Sequence, residues 1–272
     1  DVYKRQGNKK QAEDYINKRG KFSEKGHTII IPAQYKGTIQ AQQGSRNDLA
    51  LIEKLIDEGM TPNQIMDISI YYRNYEGLIR KTFFSKRSKE TPIKRDVNVI
   101  WHTGESGSGK SYTYVQLCEQ FGEDEIYLMT DYDTGGFDLY CGEPILFMDE
   151  FKGAMKFHQL LCYLDGYKIQ IHCRYANAKA LWKEVHITSV YPPDEVYSFM
   201  VDSSRQERDR ISQLLRRIDT IVYHYKNETG NYMQVSIPSN EYINYESLKA
   251  VSRGETDGFV PVKDSPFDTL RR

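Results

Sequence analysis

The chain has 272 residues, with 37 Lys and Arg against 38 Asp and Glu, so its net charge is close to zero. That length supports one large domain or two smaller ones with cores of their own, and near-neutrality leaves a nucleic-acid partner open, because binding needs only a local basic face. No apolar run approaches the roughly eighteen residues of a membrane span, no secretory signal opens the chain, and the four cysteines (118, 141, 162, 173) and six histidines (27, 102, 158, 172, 186, 224) have neither paired nor metal-type spacing. The expectation is a soluble intracellular protein in a reducing compartment, bacterial cytoplasm or host nucleus.

In chain order, residues 12–18 read as a short helix that sets Tyr15 and Lys18 on one face. A phenol beside an ammonium is either a nucleophile with an electrostatic helper or two solvated side chains. "HTIIIPAQYKGTI" (27–39), β-branched and broken by Pro32, reads as strand and loop. "SRNDLALIEKLIDEG" (45–59) carries a helix start at Asn47 or Asp48, an apolar stripe at Leu49, Ile52, Leu55 and Ile56, and a stop at Gly59. "TPNQIMDIS" starts a second helix with Pro62 in its first turn, and "YYRNYEGLIRKTFF" continues the helical layer. The stretch 79–95 holds seven Lys or Arg against one Glu, which fits a solvated linker or a phosphate-tracking face. Pro92 marks an expected domain boundary.

Beyond it short apolar runs, 97–101, 126–129, 144–149 and 184–190, alternate with helical stretches, the pattern of an α/β domain with a mainly parallel sheet. "VYHYKNETGNYMQVSIP" reads as a hairpin turning near Gly230 and Asn231, and the last twenty residues as loosely structured. "GESGSGKS" (104–111) follows the strand "VNVIWHT" and precedes the helical "SYTYVQLCEQF", which is G-x4-G-K-[ST] in the context its mechanism needs. Backbone amides of Gly104, Glu105, Ser106, Gly107, Ser108 and Gly109 would wrap a phosphate at a helix start, Lys110 would reach the outer phosphates, and Ser111 would ligate Mg²⁺. "ILFMDEF" ends a second strand in Asp149, placed to hold the Mg²⁺, and Glu150, which can orient and activate a water. "HITSVYPP" ends a third strand in Thr188 and Ser189, either of them a sensor of the terminal phosphate or simply the approach to a turn at Pro192.

These motifs together resemble the superfamily 3 helicase domain, and within it the replication initiators (Rep) of circular single-stranded DNA viruses and related plasmids. The likeness covers most of the chain and implies an ATP-driven ring helicase on single-stranded DNA. Its implied fold is α/β: a phosphate-loop, AAA+-like ATPase domain with a mainly parallel sheet, preceded by a small helical collar and a truncated α+β nicking domain. The resemblance places a DNA-touching hairpin in "GYKIQIHCRYANAKALWKEV", with Lys168, Arg174, Tyr175 and Lys179 available. It places an arginine that completes a neighbouring subunit's ATP site in "LLRRID", first Arg217 and then Arg216. The third motif usually ends in Asn, and here the position is Val190, so Ser189 or Thr188 substitutes or hydrolysis is slower. The form "ITSVYPPDEVY" looks more like plasmid-type relatives.

The same family carries Tyr-x-x-Lys at the end of its nicking domain, and "YINK" (15–18) matches it, implying Tyr15 as nucleophile and Lys18 as orienting or charge-balancing partner. A tyrosine of pKa about 10 needs a metal and a cation for this, and the His-hydrophobic-His pair that holds the metal in the family is not in this sequence. The opening "DVYKRQ" can be encoded by a sequence resembling a transposon mosaic end used in sequencing libraries. The expectation is therefore that residues 1–6 are translated adapter, 7–46 the end of a nicking domain, 47–95 a helical oligomerisation segment with a basic linker, 96–225 the helicase ATPase domain and 226–272 a C-terminal hairpin and tail. Expected partners are single-stranded and origin DNA and further copies in a ring of about six subunits, with ATP and Mg²⁺ as cofactors and a second divalent metal for nicking in the full-length protein. The rival readings are an RNA-directed superfamily 3 helicase, a phosphate-loop kinase of small substrates, and a DNA-binding remnant that does not turn over ATP.

Overall fold

The computed structural model describes residues 14–17, 19–20, 23, 47–133, 136–173 and 177–253. The expected adapter at 1–6, the strand and loop at 27–39 and the last twenty residues lie outside this set, wholly or all but wholly. Two compact units divide the chain, 1–55 and 56–272. In the first, residues 14–16 form one helical turn; the helix Asn47–Asp57, which begins where Asn47 and Asp48 signalled, runs past residue 55, with Ile52 and Ile56 buried along its stripe.

Within the second unit Thr61 caps the helix Pro62–Ile68 through a reciprocal capping box with Gln64, and Pro62 sits in the first turn where its missing N–H costs nothing. A 3-10 segment, Ile70–Tyr75, leads into the helix Glu76–Glu90. The basic stretch expected as a linker is therefore mostly helix, and two of its arginines are buried. Arg80 donates to the carbonyls of Tyr140 (2.8 Å) and Asp138 (3.1 Å) and lies 3.1 Å from the Cys141 sulfur. Arg95 spends a guanidinium N–H on the Trp182 carbonyl and lies over the Trp182 ring. These anchors explain why no break in the fold falls near Pro92: the helix that precedes it belongs to the same unit as the sheet.

That sheet has six strands in the order β2-β3-β6-β1-β7-β8: β1 Asn98–Gly104, β2 Ile126–Met129, β3 Ile145–Met148, β6 Glu184–Thr188, β7 Thr220–Lys226 and β8 Tyr232–Pro238. β4 Gln170–Ile171 and β5 Ala178–Lys179 pair separately as a short hairpin. The first five strands of the sheet are parallel, and β3 is buried at every residue. That burial is why the central strands read as unbroken apolar runs rather than alternating ones. The helix Tyr112–Phe121 seats Leu117 against Ile126, Ile145 and Phe147 on one face.

β8 is antiparallel to β7, from Thr220–Pro238 through Lys226–Tyr232, with the turn at Asn227 and Gly230. The expected domain end at 225 thus cuts a strand, and the hairpin is the edge of the main sheet rather than an appendage. We expect Arg80→Ala to lower the unfolding free energy by about 3 kcal/mol, since it strands two carbonyls that a charged donor had satisfied. Urea unfolding of both proteins measures the difference, and a loss below about 1 kcal/mol would show that the anchor is dispensable.

Candidate functional site: a phosphate loop facing two acidic side chains

The loop grows out of the carboxyl end of β1, at the centre of the sheet, where open α/β sheets bind ligands. Gly104 is needed there for a steric reason: a Cβ would lie 2.1 Å from the His224 carbonyl oxygen of β7. Gly107 and Gly109 take φ of 74° and 95°, the left-handed conformations that curl the loop before the helix Tyr112–Phe121. Lys110 is buried, and its ammonium donates to the Gly104 (2.8 Å) and Glu105 (2.7 Å) carbonyls. Burial lowers its pKa, against the pull of the Glu150 and Asp149 carboxylates. The loop's own carbonyls thus hold a cation that incoming phosphate oxygens can take over.

β3 delivers the acidic pair. The Ser111 hydroxyl donates to Asp149 Oδ1 at 3.0 Å, and the Thr188 hydroxyl donates to the same oxygen at 2.6 Å. Thr188 Oγ1 in turn accepts the Glu150 N–H at 2.9 Å. One hydroxyl at the end of β6 therefore fixes both acidic residues, one by its side chain and the other by its backbone. Glu150 itself has φ 51°, the one non-glycine with positive φ among the described residues, a conformation that costs energy and concentrates at working sites. Its carboxylate is exposed and lies 3.2 Å from the Lys152 ammonium. The Tyr132 hydroxyl donates to the Asp149 carbonyl at 2.5 Å, and burial pushes its phenol pKa up.

A cavity of about 260 Å³ joins the loop to these groups, with Lys110, Ser111, Glu150, Thr188 and Ser189 on its walls. Ser111 on its wall lies 3.0 Å from Asp149 Oδ1, a pair of hard oxygen donors that fits Mg²⁺, an ion that keeps several waters and takes the rest of its shell from substrate phosphate. Among the described residues no cluster of three His, Cys, Asp or Glu could hold a metal by itself. Val190 also lines the cavity and brings no polar atom to it, while the Ser189 hydroxyl accepts the Tyr191 N–H at 3.1 Å.

The sheet thus gathers the loop residues 104–111, Asp149, Glu150, Thr188 and Ser189. Other predicted site residues lie elsewhere. Arg217 is paired with Asp165 (2.8 Å) and donates to the Gln213 carbonyl (2.7 Å), so it is engaged within its own chain, while Arg216 is exposed. Lys168 precedes the β4–β5 hairpin and caps the end of the helix Glu76–Glu90 through the Ser88 carbonyl (2.6 Å). Lys179 reaches across the hairpin to Gln170 (3.1 Å). Arg174, Tyr175 and Lys18 lie outside the described residues. Tyr15 is half exposed on its helical turn in the first unit.

Sequence reading missed the floor of the site. His186, His102 and His224 stand on the neighbouring strands β6, β1 and β7 and form a buried row: Glu184 to His186 at 2.6 Å, His186 to His102 at 2.9 Å, His102 to His224 at 3.0 Å. Such a row is satisfied when His224 donates to His102, His102 to His186 and His186 to the Glu184 carboxylate. Nothing in the spacing of residues 102, 186 and 224 signals this, because only strand order makes them neighbours.

No family model matches the chain. Curated relatives do. The Replication-associated protein of Porcine circovirus 1 is 24% identical over 243 residues, 89% of this chain and 70% of that protein. The one from Porcine circovirus 2 is 25% identical over 256 residues, 90% and 74% of the two chains. That of Pigeon circovirus is 26% identical over 217 residues, 79% and 60%. Among solved structures, the pilus retraction motor PilT with bound ADP overlaps at a TM-score of 0.31 and 16% identity, over 59% of this chain and 52% of that one, too loosely to carry weight. Over most of its length the chain is similar to replication-associated proteins of circular single-stranded DNA viruses, as its motifs implied. These relatives are viral, and the plasmid-type likeness expected from "ITSVYPPDEVY" finds no support in them.

The histidine row predicts a pH dependence. Burial holds His102 well below the ordinary imidazole value and His224 at about 4, whereas the unfolded chain's histidines titrate near 6.5. Both folded rings stay neutral where unfolded ones take up protons, so stability is complete above about pH 6.5 and is lost as pH falls toward 4. Thermal unfolding across that window should show the decline, and His224→Gln should flatten it. An identical slope in the variant would rule out His224 as a source.

Proposed function

We propose that this chain is an ATP-driven helicase module of a replication-associated protein that serves rolling-circle replication of a small circular DNA. The observation that carries the reading is the shared Asp149 oxygen: Ser111 of the phosphate loop and Thr188 of the third strand both donate to it, with Glu150 pinned alongside. A triphosphate in the loop would have its outer phosphates between Lys110 and this network. Ser111 and Asp149 would hold Mg²⁺, which, when bound, neutralises phosphate charge.

Glu150 is the group placed to take a proton. A water on the cavity side attacks the terminal phosphorus and passes its proton to the Glu150 carboxylate, while the bond to the bridging oxygen breaks and ADP leaves. Lys152 lies beside Glu150, its ammonium 3.2 Å from the carboxylate, and would direct that carboxylate until substrate arrives. Thr188 takes over the sensing that an amide at position 190 would otherwise supply, because its hydroxyl registers any shift of Asp149 in the position of Glu150.

An exposed Arg216, or Arg217 once released from Asp165, would complete the ATP site of a neighbouring copy in a ring. Lys179, with Arg174 and Tyr175 at the hairpin, would contact single-stranded DNA, and Lys168 would do so after leaving Ser88. In the full-length protein Tyr15, aided by Lys18, would be the nicking and joining nucleophile: its oxygen bonds to a DNA phosphorus as the bond to the 3′ oxygen breaks, leaving a 3′ hydroxyl. Similarity to the circovirus Replication-associated proteins supports a part in replication, the setting in which these residue roles are proposed.

ATP turnover measured with and without single-stranded DNA tests the core of the reading. Lys110→Ala is expected to abolish turnover and weaken nucleotide binding. Glu150→Gln should lose turnover by about a hundredfold or more while still binding ATP. Normal turnover in Lys110→Ala would refute the assignment.

A further inference from the structure

The phosphate cavity does not end at Ser111. Its walls also include Tyr112 and Tyr232, and both tyrosines, with Gly109, wall a second cavity of about 560 Å³. The remaining walls of that cavity include Gln116 and Gln234. Two elements supply these side chains in matched pairs. Tyr112 and Gln116 are four residues apart and share one face of the helix Tyr112–Phe121. Tyr232 and Gln234 are two apart and share one face of β8.

We infer that this second cavity receives the adenine base of the nucleotide, with the two tyrosine rings beside the heterocycle and the glutamine carboxamides reading its edge. The inference rests on the ATP reading above and adds a recognition site to it. Three observations carry it. The two cavities share Gly109, Tyr112 and Tyr232 as walls, and the second has neither Asp149 nor Glu150 on its walls, so a nucleoside whose outer phosphates face that pair can extend into it. Both tyrosines are more than half exposed, 57% for Tyr112 and 65% for Tyr232, although each belongs to a regular element beside the loop. Tyr232 is nevertheless held in place: its ring lies 3.2 Å from where a Cβ of Gly109 would be, and the Lys226 ammonium sits 4.8 Å from its centroid. Aromatic faces and carboxamides are what a purine needs. A flat ring packs on a flat ring, and an amide's paired donor and acceptor match the amino group and ring nitrogen of adenine, whereas guanine presents two acceptors on the equivalent edge.

A rival slot borders the loop on the other side, lined by Tyr223, Tyr225, Lys226 and Arg253. It meets the phosphate cavity only at the outer turn, Ser106 and Gly107, and has no side-chain carboxamide but that of Asn227. Its tyrosines already stack on each other, with ring centroids 5.5 Å apart at 12°.

Displacement of a fluorescent ATP analogue from the full chain by ATP, GTP and inorganic tripolyphosphate tests the proposal. ATP should bind about tenfold tighter than GTP, the discrimination one good amide–base pair supplies. Tyr232→Ala should weaken ATP about tenfold or more and leave tripolyphosphate unchanged. Gln116→Leu with Gln234→Leu should bring ATP and GTP to near-equal affinity, and Tyr225→Ala should alter neither. If ATP binds well but the loss follows Tyr225→Ala, or if none of the variants changes the ATP to GTP ratio, the base lies elsewhere while the phosphate assignment stands. If tripolyphosphate fails to bind the unmodified chain, the phosphate loop reading falls and the base site with it.

Discussion

Parallel pairing in register between β3, β6 and β1 is the constraint from which the site follows. Met148, Ile187 and Trp101 lie in one row across the three strands, all buried. The next position on each strand is therefore level too, which places Thr188 within 2.6 Å of the Asp149 carboxylate. A slip of one residue in the β3–β6 ladder would turn the alternating side chains over and take the Thr188 hydroxyl away from Asp149. The apolar rows below are what fix this register, so the chemistry at the carboxyl end is set by packing several residues away.

Most polar groups inside this apolar sheet are paired, the buried Thr103 hydroxyl on β1 being an exception. Lys110 is neutralised in part by loop carbonyls, Thr188 by Asp149 and Glu150, and the histidines by one another and by Glu184. Burying such groups without partners would cost several kcal/mol apiece. The row of imidazoles runs across β6, β1 and β7 as a polar spine. His224 also sets its carbonyl against Gly104, so the same residue joins the histidine row through its side chain and crowds the loop from its backbone.

Elements that look peripheral in sequence turn out to hold the site. The helix Glu76–Glu90 is tied to the 138–141 segment through Arg80. The β7–β8 hairpin closes the sheet edge and carries Tyr232 over Gly109. Edge strands expose one side of their ladder, and here that edge stands directly beside the glycine-rich loop, with Tyr232 against Gly109.

The amino-acid sequence alone determined the parallel α/β sheet, the phosphate loop and the acidic pair, because these are local signals: a glycine pattern between a strand and a helix, and an apolar run ending in Asp149 and Glu150. It also set Thr61 and Pro62 as a helix start, since capping is settled within four residues. It did not determine that Thr188, rather than Ser189, bridges the acids, because that depends on strand order and the direction of two adjacent residues. Arg80 in the core, Arg217 held by Asp165 and the row of three histidines were likewise decided only by the tertiary structure. Each joins groups from about 50 to more than 100 residues apart, and no local periodicity records which strands become neighbours.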